Sequence, residues 1–286
     1  MRTIFTGHSK IKDSNYSIYL IPQQIIHIKL TGSYFKKYNK LTMSKIFKIF
    51  RSLEVILKSK KPLFSFFKKS ASISSTLILN NVKHYAPAIN TVIDVGANMG
   101  QFALASNSFF PSAHIYSFEP VPGTYSILTG RVNGTANIKT FNCALGSNEG
   151  EIDFYSNVYS HASSALPVSD AQKNLVSKSL QETKIKVKLQ TLDNMMGGMN
   201  VSSPVLLKLD VQGFEKEVLL GATESLQKID YILIESSFVS MYNGEPLFDE
   251  MHTFIKSLGF EIVAPVGYLQ TEDLQFLQMD VLYKRK

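Results

Sequence analysis

The stretch VIDVGANMGQF, residues 92–102, decides the fold. Val92 to Val95 read as a buried strand that ends in Asp94 and Val95. Gly96, Asn98 and Gly100 follow as a turn, and GQFALASNSFF (100–110) has the apolar spacing of a helix. Outward from it the alternation repeats: AHIYSF (113–118) as strand, VPGTYSILTGRV (121–132) as helix, NIKTFNCAL (137–145) as a third strand. Strands alternating with helices predict an α/β fold, a doubly wound and mostly parallel sheet covered on both faces. Further strands are expected at EIDFYS, KIKVKLQ, PVLLKLDV (204–211) and YILIE (231–235), a helix at FEKEVLLGA, and a closing helix and two strands in FIKSLGFEIVAP and QMDVLYK.

In such a sheet ligands bind beyond the carboxyl ends of the strands, closest to the first strand-to-helix turn. Gly96 and Gly100 are expected to permit a tight turn and to leave room beside the ligand. Glu119 ends the second strand 25 residues after Asp94, where a carboxylate can accept hydrogen bonds from both ribose hydroxyls. That feature is shared by NAD sites and S-adenosylmethionine sites. The turn separates them, because a pyrophosphate site wants G-x-G-x-x-G. Here the turn reads Gly96-Ala97-Asn98-Met99-Gly100, and Asp94 places negative charge where a ligand with a cationic amine is better suited.

VIDVGANMGQFA, then FEP, then CALGSNEG, then LLKLDVQGFEKEVLLGA resembles the FkbM family of S-adenosylmethionine-dependent methyltransferases, over about Thr91 to Pro265. The resemblance implies a class I methyltransferase (Rossmann-like) sheet of seven strands with an antiparallel last strand. It also implies S-adenosyl-L-methionine as cofactor and methyl transfer to hydroxyl oxygens of sugars or polyketide-type products. On the matching positions Asp94, Gly96, Asn98 and Gly100 hold the amino-acid part of the cofactor and Glu119 binds the ribose; Phe118 and Ala144, with Asn142 or Leu145, flank the adenine. The K-x-D-V-x-G-x-E element, Lys208 to Glu215, places Asp210 near the acceptor, with Glu235 alongside. Three arrangements fit proton removal from an alcohol: Asp210 as base, His161 of the SHASSAL loop as base, or a divalent cation on Asp210 and Glu235. The plainer reading is that Asp210 and Glu215 pair with Lys208 or with backbone amides to fix the turn. Ser163, Ser164 and Leu166 loosely match the family's Ser-Leu element and are candidate acceptor contacts. Leu166–Thr183 and residues 236–248 lie outside the basic sheet and read as specificity insertions, with Tyr242 either stacked on a sugar or packed under its loop.

Composition bounds the rest. The 286 residues are 44% hydrophobic and 19% charged, enough for a core. The single Cys143 gives no intramolecular disulfide, the six histidines show no zinc spacing, and a cytosolic compartment is expected. Residues 1–90 hold 16 bases against Asp13 and Glu54, a charge of +14, leaving −7 for the rest of a +7 chain. Domains are accordingly expected at 1–85, a basic and partly helical extension with a mobile arm at 1–42, and at 86–286. Residues 44–70 have the pattern of a basic amphipathic helix, suited to an anionic membrane surface or to packing on the main domain. The arm lacks the cleavage site of a signal peptide, and no span reaches the ~20 apolar residues needed to cross a bilayer. No nucleic-acid module is recognisable. Two other classes share part of this pattern: a nicotinamide-dependent sugar oxidoreductase, whose third glycine and Tyr-x-x-x-Lys are missing from this chain after residue 91, and a non-catalytic membrane-associated interaction protein.

Overall fold

The computed structural model describes residues 11–13, 16–18, 28–29, 72–157, 160–175, 182–271 and 273–286. The expected amphipathic helix at 44–70 and most of the 1–42 arm lie outside the described residues. Two compact units, Met1–Phe50 and Arg51–Lys286, divide the chain. In the first, β1 (Ile11–Asp13), β2 (Tyr16–Ile18) and β3 (Ile28–Lys29) form a small antiparallel meander.

The second unit begins its described part with α1 (Ile73–Tyr85), followed by β4 (Thr91–Val95), α2 (Gln101–Phe109), β5 (His114–Phe118), α3 (Pro122–Val132) and β6 (Ile138–Phe141). Next come β7 (Ala144–Leu145), β8 (Gly150–Asn157), a 3-10 turn (Ser160–Ala162), α4 (Asp170–Leu175), β9 (Glu182–Gln190) and α5 (Leu192–Met196). The last part holds β10 (Val205–Leu209), α6 (Glu215–Leu220), β11 (Tyr231–Ser237), α7 (Phe248–Ser257), β12 (Phe260–Gln270) and β13 (Phe276–Arg285).

Seven strands form one sheet in the order β12-β13-β11-β10-β4-β5-β6. β4, β5, β6, β10 and β11 pair in parallel, and β13 runs antiparallel between β11 and β12. This is the class I methyltransferase topology. β4 pairs with β5 on one side and with β10 on the other, so the strand order reverses between β4 and β10. That point is where a doubly wound sheet opens a crevice.

Both central strands are buried along their whole length, which explains their nearly unbroken apolar runs. On one face Leu79 and Val82 of α1, Phe102 and Leu104 of α2 and Leu128 of α3 pack against Val92, Ile115, Leu206 and Leu282. On the other, Leu192, Val218, Leu219, Met251 and Ile255 pack against Ile93, Leu207, Ile234 and Val281. Helix α1 therefore belongs to the core of the sheet domain, which begins before the boundary at residue 85 that the sequence suggests. NIKTFNCAL, expected as one strand, breaks after Phe141: β7 joins β9 and β8 in a separate three-stranded sheet with its own core of Phe154, Val187 and Leu189.

Candidate active site

The carboxyl ends of β4, β5, β10 and β11 surround a cavity of about 480 Å³. Its wall includes Asn98, Phe118, Glu119 and Ala144, then Gly96 beside Asp210, with Glu235 and Asp280. The sequence-predicted groups from both motifs thus come together, with Asp280 as an addition.

The β4 turn is held by close backbone approach. Gly96 has φ +79°, and a Cβ there would lie 1.9 Å from the Asp210 carbonyl oxygen; at Gly100, φ +86°, it would meet Leu128 at 2.8 Å. The room left by these glycines is filled by the protein itself, by the end of β10 and by α3, and Gly100 is set back from the cavity wall. Asn98 also takes a left-handed conformation, φ 49°, and its side-chain oxygen accepts from Ser160 Oγ at 2.9 Å.

Asp94 is completely buried behind the wall. It is register partner to Lys208 on β10, whose ammonium lies 3.2 Å from Asp94 Oδ1 and 3.4 Å from Asp210 Oδ2. Lys208 Nζ also donates to the Gly96 carbonyl at 3.0 Å and sits over the Phe102 ring. The expected contact of Asp94 with a cofactor amine is corrected here: a carboxylate so deeply buried needs a countercharge, and Lys208 supplies it. Burial raises Asp94 above the usual carboxylate range against the pull of Lys208. Burial alone would lower Lys208, but Asp210 and Asp94 outweigh it and hold the ammonium above the ordinary lysine value.

Glu119 is 6% exposed, and its two oxygens accept backbone N–H bonds from Val121 (2.9 Å) and Asn98 (3.0 Å). Burial pushes it up to about 7, against those two bonds. It therefore caps the entry to α3 and braces the β4 turn while still facing the cavity. Phe118 stacks on Phe141 at 4.9 Å. Asn142, expected beside the adenine, is not in the cavity wall: its amide donates to the Glu119 and Pro120 carbonyls at 2.9 and 3.0 Å and so holds the end of β5.

The far end is acidic. Asp210 is 38% exposed at its side chain and accepts from Gln212 Nε2 at 2.6 Å. Glu235 Oε2 accepts from the same nitrogen at 2.9 Å and from Gln278 Nε2 at 3.1 Å. The place between Asp210 and Glu235 that had been considered for a divalent cation is spanned by the Gln212 amide. Among the described residues no group of three or more His, Cys, Asp or Glu side chains is arranged to hold a metal ion. Asp280 stands opposite Glu235 in the β11–β13 register, in space kept by Gly267, where a Cβ would lie 2.3 Å from Asp280 Oδ2. Burial, then Asp210, raises Glu235 well above the carboxylate range; the same two causes push Asp280 up to about 7. Glu215, also pushed up to about 7 by burial, accepts from the Val211 and Gly213 amides at 3.0 and 3.2 Å and fixes the turn after β10.

His161 lies in the 3-10 turn, and its side chain is outside what the structure describes. Its neighbours Ser160, Ala162 and Ser163 line the cavity. Ser164 is fully buried and donates to the Gln212 carbonyl at 2.6 Å, so it supports the turn and not an acceptor. Tyr242 is likewise fully buried, which removes the sugar-stacking reading. Sequence reasoning missed Asp280 and the bridging role of Gln212; a lone acid within the apolar strand QMDVLYK was the available signal for the first.

A family model for the methyltransferase FkbM domain matches residues 94–262. The chain belongs to the FkbM methyltransferase family. Hexuronic acid methyltransferase AglP of Haloferax volcanii is 30% identical over 145 residues, 50% of this chain and 54% of that protein. 2-O-methyltransferase NoeI of Sinorhizobium fredii is 27% identical over 168 residues, 54% of this chain and 66% of that protein. Among solved structures, magnesium protoporphyrin IX methyltransferase (ChlM) from Synechocystis PCC 6803 with bound SAM aligns with a TM-score of 0.39 at 11% identity, over 83% of this chain and 91% of that one. This FkbM-family chain is an S-adenosylmethionine-dependent methyltransferase. The residues present fit that cofactor: a carboxylate at the end of β5, an aromatic wall, and a glycine turn at the switch point all open into one cavity.

Proposed function

We propose that the enzyme methylates a hydroxyl oxygen of a sugar, on a glycan, glycolipid or glycosylated metabolite. The observation that carries this reading is the single cavity that runs from Glu119 and the β4 turn to Asp210, Glu235 and Asp280. Glu119 would hold the ribose hydroxyls, with Phe118 and Ala144 beside the adenine and the Gly96–Asn98 backbone beside the amino-acid part. S-adenosylmethionine, when bound, supplies a methyl group on a sulfonium leaving group. The chain's part is to align the attacking oxygen and to accept its proton, and alignment alone contributes much of such a rate. Asp210 and Glu235 are the candidate bases, and burial, then Asp210, raises Glu235 well above the ordinary carboxylate range. His161 stays a candidate on sequence alone.

A sugar acceptor is supported by the names of the two relatives, one a hexuronic acid methyltransferase and one a 2-O-methyltransferase. It is also supported by a group of half-exposed aromatic rings: Phe238 just after β11, Phe276 at the start of β13, and Tyr268 of the neighbouring β12. Rings of this kind suit the C–H face of a pyranose. No helix of the described residues is long and apolar enough to cross a membrane. The charge of +14 in residues 1–90 supports peripheral contact with an anionic surface or an anionic acceptor.

Calorimetric titration with S-adenosylmethionine, S-adenosylhomocysteine and NAD, with Glu119→Ala as control, tests the cofactor site. Turnover of radiolabelled methyl donor with D-glucuronic acid, D-glucose and N-acetyl-D-glucosamine glycosides tests the acceptor class. Methylation confined to non-carbohydrate alcohols would overturn the sugar reading and leave the methyltransferase intact.

A further inference from the structure

Tyr242 has no exposed surface, yet its hydroxyl lies in the heart of the acidic end. It donates to Gln212 Oε1 at 2.7 Å. Gln212 itself has φ 58°, a left-handed conformation that a residue with a β-carbon adopts at a cost, and its carbonyl is held by Ser164. On its other side the amide meets the carboxyl oxygens of Asp210 and Glu235, which call for the nitrogen there. Nε2 then donates to Asp210 Oδ1 at 2.6 Å and to Glu235 Oε2 at 2.9 Å. The reverse orientation would set an oxygen against two carboxyl groups. The carboxyl groups thus set the polarity of the amide, and the Tyr242 hydroxyl anchors its oxygen end.

The loop that carries Tyr242 is clipped to the other inserted segment. Val168 and Tyr242 form a β-bridge, and Ser169 N–H donates to the Met241 carbonyl and Asn243 N–H to the Pro167 carbonyl, each at 2.9 Å. Glu245 holds the loop from beneath by accepting from the Met241 and Tyr242 amides. The two stretches set apart in the sequence as specificity insertions therefore bear on the carboxylates through a single side chain.

We propose that Tyr242 is a positioning residue of the acceptor site: acting through Gln212, it holds Asp210 and Glu235 at one oxygen each and turns Glu235 Oε1 toward the incoming hydroxyl. This deepens the methyltransferase reading and rests on it. The groups that act on Glu235 are Asp210 and Gln212 after β10, Glu215 of α6, Asp280 and Gln278 of β13, and Tyr242 of the loop. Of these, the Gln212 donor favours the ionised form of Glu235 and the acids oppose it.

The test is a pH titration of the Glu235 carboxyl by 13C NMR in ligand-free full-length protein, assigned with Glu235→Gln, for the wild type, Tyr242→Phe and Gln212→Met. The phenylalanine keeps the ring and removes the hydroxyl that anchors Gln212 Oε1, loosening the amide's hold on the two carboxyl groups. The expected result is an upward move of the Glu235 midpoint, about half to one pH unit, in both variants. Once an acceptor is in hand, Tyr242→Phe should lower kcat about tenfold with KM little changed. A Tyr242→Phe titration superimposable on the wild type, with Gln212→Met shifted, would reduce Tyr242 to packing and overturn the proposal. If Tyr242→Phe does not fold, an unmoved midpoint in Gln212→Met overturns it and a raised one supports it. S-adenosylhomocysteine binding is measured on the same wild-type sample, so a failed cofactor site is recognised apart from a failed relay.

Discussion

Lys208 and Asp94, from different motifs and adjacent strands, form a buried ion pair at 3.2 Å with side-chain exposures of 8% and 0%. Removing one partner strands the other charge away from water, which typically costs about 3–5 kcal/mol. Lys208→Met should therefore destabilise the protein by about that amount in a denaturant titration. The double variant Lys208→Met, Asp94→Asn should recover a substantial part. A single-variant loss below about 1 kcal/mol would mean that water reaches the pair.

Glu119 links cofactor affinity to pH. Pushed up to about 7, it gains its charge only as pH rises through that value, and the ribose role proposed above makes cofactor affinity follow that charge. S-adenosylhomocysteine affinity measured by calorimetry should rise from pH 6 to 8 and then level. Glu119→Gln should weaken binding about 10- to 100-fold and flatten the profile. An equal slope in the variant would assign the pH dependence to another group.

Gly267 makes the space that Asp280 fills, and the atom an added Cβ would strike is the end of a flexible side chain. Gly267→Ala should thus leave folding largely intact while displacing the Asp280 carboxyl. Turnover should fall about tenfold, as expected for a small misplacement in a reacting site. Melting temperature read beside kcat separates this from general damage.

Glu119, Glu215 and Asp280 all sit near 7 in the folded protein because burial disfavours their charge. Between about pH 4.5 and 7 the unfolded chain is ionised where the native state still binds protons, so stability falls as pH rises through this window. Lys208 is shifted upward and keeps its charge throughout. Differential scanning fluorimetry at constant ionic strength should show a higher melting temperature at pH 5.5 than at pH 8. The opposite trend would show that these carboxyls ionise without cost.

How far the sequence carried can be seen from particular residues. The main sheet was legible because β4 and β10 are buried on both faces and β5 and β11 nearly so, which imposes apolar runs, and because the turn after Val95 uses glycines at left-handed positions. Glu119, Asp210 and Glu235 could be placed on the cavity because the first two directly follow β5 and β10 and the third lies near the carboxyl end of β11. Asp94 was misplaced because spacing along the chain does not show that its neighbour across the sheet is Lys208. Asn142 was misplaced because the break that makes it a strap for β5 depends on β7 leaving for a second sheet. Gln212 was hidden for a similar reason: Ser164, Glu235 and Tyr242, which hold it, come from segments that meet only in the folded chain.

Helix α1 sets a limit on how this enzyme can be trimmed. Ser72 caps the helix through the Ser75 amide, Leu79 and Val82 are fully buried, and Ser72, Ser75 and Ile78 form part of the cavity wall. A chain cut after residue 80 would lose the cap, a core leucine and one side of the pocket together, and its failure would say nothing about the basic region. Truncations intended to isolate that region have to end before Ser72.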